Sequence, residues 1–202
     1  MISGVNTFLF LDFIRAAACR VGQQLNIHSI ASDVGITDDT ASRWLTALEK
    51  SDIIFYLHPF SNNLLKRTIK TPKLYFFDTG LVTYLTKYTS PNILMNGSIN
   101  SAILENYIVS EIRKTYLNSG IECILHYYRD KDTKEIDLII EDNGLLHPIE
   151  IKKSSNPTIS MVTNFSVLKK STIPIGMGCI ISLKEQFTAL DKNILCVPVW
   201  MI

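Results

Sequence analysis

The stretch EIDLIIEDNGLLHPIEIKKS, residues 135–154, decides how the second half of this chain folds. Two apolar runs flank Asp142, Asn143 and Gly144, a turn signal, so the stretch reads as two strands around a turn. Asp137, Glu150 and Lys152 interrupt those runs. Charged side chains are rarely fully buried unless they are paired or bind a metal. An acid on one strand and an acid–lysine pair on the next therefore need a chemical reason.

Side chains alternate across a strand. Glu150 and Lys152 then share one face, and Ile149 and Ile151 share the other. Asp137 faces opposite to Ile136 and Leu138, and pairing through the turn lets it lie beside Glu150. Two adjacent carboxylates raise each other's pKa unless a cation sits between them. Hard divalent ions want such oxygens, and Mg²⁺ takes one or two carboxylates plus waters and substrate phosphate. Mg²⁺ or Mn²⁺ is the cofactor this pattern suits, with Asp137 and Glu150 as ligands. Lys152 adds a charge that orients a water or stabilises a phosphorane-like transition state. The plainer alternative is a structural ion-pair cluster, and the residues alone leave both open.

Upstream, SAILENYIVSEIRKTYLNSG reads as an amphipathic helix. Ile103, Tyr107, Ile108 and Ile112 form its apolar face, Glu105 lies near its start, and Gly120 ends it. ECILHYYRD is a strand ahead of the hairpin, and its Arg129 meets either a phosphate or Glu135. Downstream, ISMVTNFSVLKKS is a second helix, and GCIISL and ILCVPVW are two closing strands. Helix, meandering strands, helix, strands predicts a mixed α+β or α/β layer.

The first 75 residues read differently. A long apolar helix, TFLFLDFIRAAACRVGQQL, is followed by IHSIASDVG and ITDDTASRWLTALEKSDII. Gly35 is a natural stop, Thr37 an N-cap, and Asp38 and Asp39 sit where the helix dipole favours acids. Ala31 is small enough for two helices to cross closely. Two strands around Ser61, Asn62 and Asn63 follow, the second bearing Lys66, Arg67, Lys70 and Lys73. This is the pattern of a winged helix-turn-helix with a basic wing. DNA is the partner it suggests, contacted by Ser42, Arg43, Lys66 and Arg67, with Arg129 in the second half. The two aspartates face phosphates unfavourably, so a packing or protein-interaction role is the alternative. Residues 76–97 read as a connector marked by Pro91, Asn92, Asn96 and Gly97. The expected domains are 1–75, a winged helix, and 98–202.

An acid, about a dozen residues, then Glu-x-Lys resembles the PD-(D/E)XK nuclease-like superfamily. Asp137 matches the first acid, Glu150 and Lys152 the second motif, and Glu105 the helix acid of many members. The proline of the motif name is replaced by Ile136. The resemblance implies a restriction-endonuclease-like mixed sheet, with Glu105, Asp137, Glu150 and Lys152 as its catalytic set. KLYFFDTGL, ILENYIVSEI, YYRDKDTKEIDLII and HPIEIKKS together look like the C-terminal region of a prokaryotic family of AAA-type ATPases. In that family an ATPase module precedes a winged helix and a nuclease-like domain of unknown function. The resemblance implies an ATP-binding N-terminal module as partner, and leaves room for an oligomer. No G-x-x-x-x-G-K-[ST] stretch occurs in these 202 residues, so this chain is expected not to hydrolyse ATP itself.

Composition bounds the rest. Hydrophobic residues make up 47% and charged ones 19%, enough for a packed core. A net charge of +1 demands no nucleic acid, so any basic surface is local. Cys19, Cys123, Cys179 and Cys196 lack disulfide or zinc spacing and read as reduced thiols of a cytoplasmic protein. Asp12 and Arg15 break the one long apolar run, so no membrane span is expected.

Overall fold

The computed structural model describes residues 6–63, 71–122 and 124–202. The chain forms two compact units, Met1–Tyr56 with Pro72–Ser110, and Leu57–Thr71 with Glu111–Ile202. Among the described residues no helix is long and apolar enough to cross a membrane. Cys19, Cys179 and Cys196 are free thiols, and Cys123 lies outside the described residues.

The first unit opens with α1 (Thr7–Ala18), α2 (Ile27–Val34) and α3 (Asp38–Lys50). Local chemistry sets their ends. The Asn26 side chain accepts from the Ser29 amide, Gly35 closes α2 with a left-handed φ of 73°, and Thr37 accepts from the Thr40 amide. Phe13, Ala17, Ile30, Ala31, Leu45 and Leu48 are buried between the helices. Trp44 adds an edge-on contact with Phe10 and Phe13, both at 5.2 Å between ring centroids. Strands β1 (Ile54–Pro59) and β2 (Lys73–Phe76) follow as neighbours, while most of the expected basic arm, residues 64–70 with Lys66, Arg67 and Lys70, lies outside the described residues.

The interval 76–97 lies inside this unit. It contains α4 (Thr79–Leu85) and α5 (Pro91–Asn96), and Val82 and Leu85 are buried in the same core as α1 to α3. The loop signals there mark helix ends instead: Ser90 caps α5, Pro91 occupies its first turn and Gly97 follows its last. The next helix, α6 (Asn100–Asn118), begins in the first unit and ends in the second. Its Asn106 is fully buried. The Asn106 Oδ1 accepts from the Phe76 amide at 2.7 Å, while its Nδ2 donates to the Phe76 carbonyl at 3.1 Å and to Thr79. One side chain thus satisfies both backbone groups of a buried strand residue.

In the second unit the last residues of β1 pair parallel with β3 (Ile124–Arg129). The antiparallel meander β3, β4 (Glu135–Asp142) and β5 (Leu145–Lys152) follows. Parallel β6 (Gly178–Ser182) and β8 (Ile194–Pro198) extend it, and β7 (Thr188–Asp191) closes the edge antiparallel to β8. This is a mixed α+β architecture. β7 is too short and too weakly apolar to have been read from sequence. The second helix expected in this half of the chain forms at Ile159–Lys170, as a 3₁₀ helix broken at Val162. Its β-branched, serine and asparagine residues hold the α form weakly. Val162, Phe165 and Leu168 nevertheless pack on Ile136, Ile139, Leu146 and Ile180.

Candidate functional site

Asn143 and Gly144 form a two-residue turn with φ of 48° and 73°, the geometry that matches strand twist in a hairpin. From that turn the β4–β5 ladder runs to the pair Leu138 and Ile149. Beyond it a side chain takes over: the Asp137 Oδ2 accepts from the Ile151 amide at 2.8 Å. On its other edge β5 stays in register with β6, with Glu150, Ile151 and Lys152 beside Ile180, Ile181 and Ser182. The hairpin therefore forks on the β4 side only, and Asp137 stands at the fork.

A second irregularity places it there. His126 faces Ile139 and Tyr128 faces Ile136, so β3 advances two residues while β4 advances three. An extra residue of this kind bends a strand and re-aims side chains. It explains why Ile136 and Ile139, three apart, share one core. Simple alternation, as applied to the sequence, lacks this step. Asp137 lies in the extra-residue segment.

Glu150 is 5% exposed, with Lys152 Nζ at 2.5 Å from its Oε1. The Lys152 side chain is 37% exposed, so the pair opens to solvent through the lysine. The sequence expectation that Glu150 and Lys152 share a face is met by this contact. Arg129 pairs with Glu135 at 3.6 Å. The Glu135 carbonyl in turn accepts from Asn164 Nδ2 at 3.1 Å. Among the described residues, no three His, Cys, Asp or Glu side chains are grouped to hold a metal ion. The donor chemistry of Asp137 and Glu150 suits a hard divalent ion that fills its remaining positions with water or phosphate.

The remaining sequence candidates have other partners or lie outside the described residues. Glu105 is in the first unit, where its Oε1 accepts from Lys73 Nζ at 2.9 Å and from the Tyr75 hydroxyl at 2.6 Å. Lys73, read from sequence as part of a basic wing, is 3% exposed and faces this carboxylate, not solvent. Lys66 and Arg67 lie outside the described residues. Ser42 and Arg43 are exposed on α3, and Arg43 pairs with Asp39 one turn back at 3.3 Å. Asp38 meets His28 at 3.2 Å. Asn164 and Asn106 were not singled out in the sequence. Their only signal there is an amide side chain amid apolar residues that the helix pattern buries.

The opposite face of the second unit has other chemistry. A cavity of about 320 Å³ is bounded by Ile112, Tyr116, Ile140, Ile149, Cys179 and Ile181, with no charged group in its wall. Burial, helped by Cys196, pushes the Cys179 thiol up to about 12, so it stays protonated at neutral pH. The hairpin carries one more ion contact near its turn end, where Glu141 of β4 lies 3.6 Å from His126 of β3.

Residues 100–202 match a family model described as Domain of unknown function (DUF4143). Residues 2–92 match another, Domain of unknown function (DUF8612). Two curated relatives are 29% identical over 139 residues: uncharacterized protein Rv2008c of Mycobacterium tuberculosis and uncharacterized protein Mb2031c of Mycobacterium bovis. The alignment covers 69% of this chain and 31% of each relative, so the chain spans under a third of the length of these proteins. No solved structure matches.

Proposed function

The chain belongs to the family described as Domain of unknown function (DUF4143), and we propose that it is the C-terminal region of a AAA-type ATPase whose second unit cleaves DNA phosphodiester bonds with a divalent metal. The observation that carries this reading is the fork, where Asp137 reaches Ile151 beside the Glu150–Lys152 pair. The family resemblance of the flanking motifs and the length of the two relatives support the ATPase context. ATP then belongs to that preceding module.

Asp137 and Glu150 would hold Mg²⁺ or Mn²⁺, which supplies Lewis-acid polarisation of the phosphate. Lys152 contributes positive charge where the phosphate gains negative charge. Its partial exposure leaves the ammonium accessible to substrate. Glu105, engaged by Lys73 and Tyr75, receives no metal role. The first unit acts as a winged helix, with Ser42, Arg43, Lys66 and Arg67 as its DNA contacts. Such contacts make binding fall with salt.

Cleavage of plasmid and single-stranded DNA with Mn²⁺ tests the mechanism, comparing wild type with Asp137→Ala and Lys152→Ala. Loss of cleavage in both variants supports it, and equal activity in all three sinks it. One observation favours a second reading, a non-catalytic platform that regulates the ATPase: Lys152 already neutralises Glu150. That reading is upheld if wild type neither cleaves nor shows a thermal shift with Mn²⁺.

A further inference from the structure

The fork has to be held open against a strong tendency of two strands to keep pairing. Beyond Leu138 the β4 and β5 backbones part, and polar groups on both strands need other partners. Two side chains supply them. Asp137 takes the Ile151 amide from the β4 side. Asn164, from the broken 3₁₀ segment, donates to the Glu135 carbonyl two residues before Asp137. Arg129 grips the Glu135 side chain at the same place, from β3. The extra residue in β4 falls between these anchors and the regular ladder.

Asn164 is itself held. It lies between Val162 and Phe165, both buried against Ile136 and Ile139 on either side of Asp137. The kink at Val162 breaks the helix two residues earlier. A continuous α-helix would present residues 162–165 at different angles, so the break and the amide contact go together.

We propose that Asn164 is a positioning residue for Asp137: by fixing the Glu135 carbonyl it sets the irregular turn of β4 that aims the carboxylate at the fork. This rests on the metal-site reading above for its use, and not for its geometry. Groups behind a ligand commonly change metal affinity 10- to 100-fold when removed. Asn164→Asp keeps the shape and removes the donor, and Asn164→Ala removes both.

Two readouts on the full chain separate the possibilities. The first is hydrogen exchange at the Ile151 amide by NMR, with the amides of β6 as internal reference. The second is Mn²⁺ affinity by calorimetry. Both variants are expected to exchange Ile151 roughly tenfold faster while β6 keeps its protection, and to bind Mn²⁺ roughly tenfold more weakly. Unchanged Ile151 exchange in both variants overturns the proposal, whatever the metal does. Equal loss of protection in β6 also overturns it, because Asn164 would then be merely structural. If wild type binds no Mn²⁺ but Ile151 still loses protection in the variants, the metal reading fails and the positioning role stands.

Discussion

Two of the acid–lysine contacts among the described residues, one in each unit, differ in kind. In the first unit, Lys73 and Glu105 are both sheltered, and the Tyr75 hydroxyl also donates to the same carboxylate oxygen. The partners are 32 residues apart, so the contact ties β2 to α6. In the second unit, Glu150 and Lys152 are two residues apart on one strand, and only the acid is sheltered. That contact ties nothing distant together. A closed, three-membered cluster joining two elements is built for stability. An open pair two residues apart leaves its lysine partly in water, and on the proposed reading that lysine yields its place to another cation.

Breaking the closed cluster should cost most. Lys73→Ala leaves Glu105 with an uncompensated sheltered charge, and urea unfolding should show a loss of about 3–5 kcal/mol. Asn106→Ala strips partners from the buried Phe76 amide and carbonyl, with an expected loss of about 2–4 kcal/mol by the same measurement. At the open pair, Lys152→Ala should cost only about 1–2 kcal/mol, because the lysine is partly in water, yet abolish Mn²⁺-dependent cleavage. A Lys152→Ala loss as large as that of Lys73→Ala would erase the distinction between the two contacts. The smallest effect is expected at Arg43→Ala, where an exposed pair one turn apart is worth about 0.3–0.5 kcal/mol. Its informative readout is DNA affinity and the salt slope, which should fall by about one unit if Arg43 meets a phosphate.

A pH prediction sharpens the contrast between the two faces of the second unit. The Cys179 thiol is raised to about 12, chiefly by burial. A raised thiol pKa favours the neutral form in the fold. Its stabilising share is therefore present below the ordinary thiol range and is lost as pH climbs from about 9 towards about 12. A thiol reagent at pH 8 should label exposed Cys19 and leave Cys179 and buried Cys196 until the protein unfolds.

Much of this was legible in the chain. Thr37, Gly35 and the Asn143–Gly144 turn act through bonds spanning a few residues, so their types announce the structure directly. The hairpin and the shared face of Glu150 and Lys152 follow from a period of two, which is equally local. The interval 76–97 is ambiguous in sequence for the converse reason. Pro91 and Gly97 signal a break in both a linker and a short helix, and only the burial of Val82 and Leu85 distinguishes them.

The sequence by itself determined the hairpin, its turn, the acid–lysine pair and the order of the first three helices. Each of these depends on neighbours within about one turn of helix or one strand pair. Only the tertiary structure decided that Lys73 serves Glu105 rather than a basic surface, that an extra residue sits at Asp137, and that Asn164 donates to the Glu135 carbonyl. Those outcomes join residues about 30 positions apart, or compare the lengths of two paired strands. No local pattern encodes such a comparison, because the free energy that settles it comes from burying both partners at once.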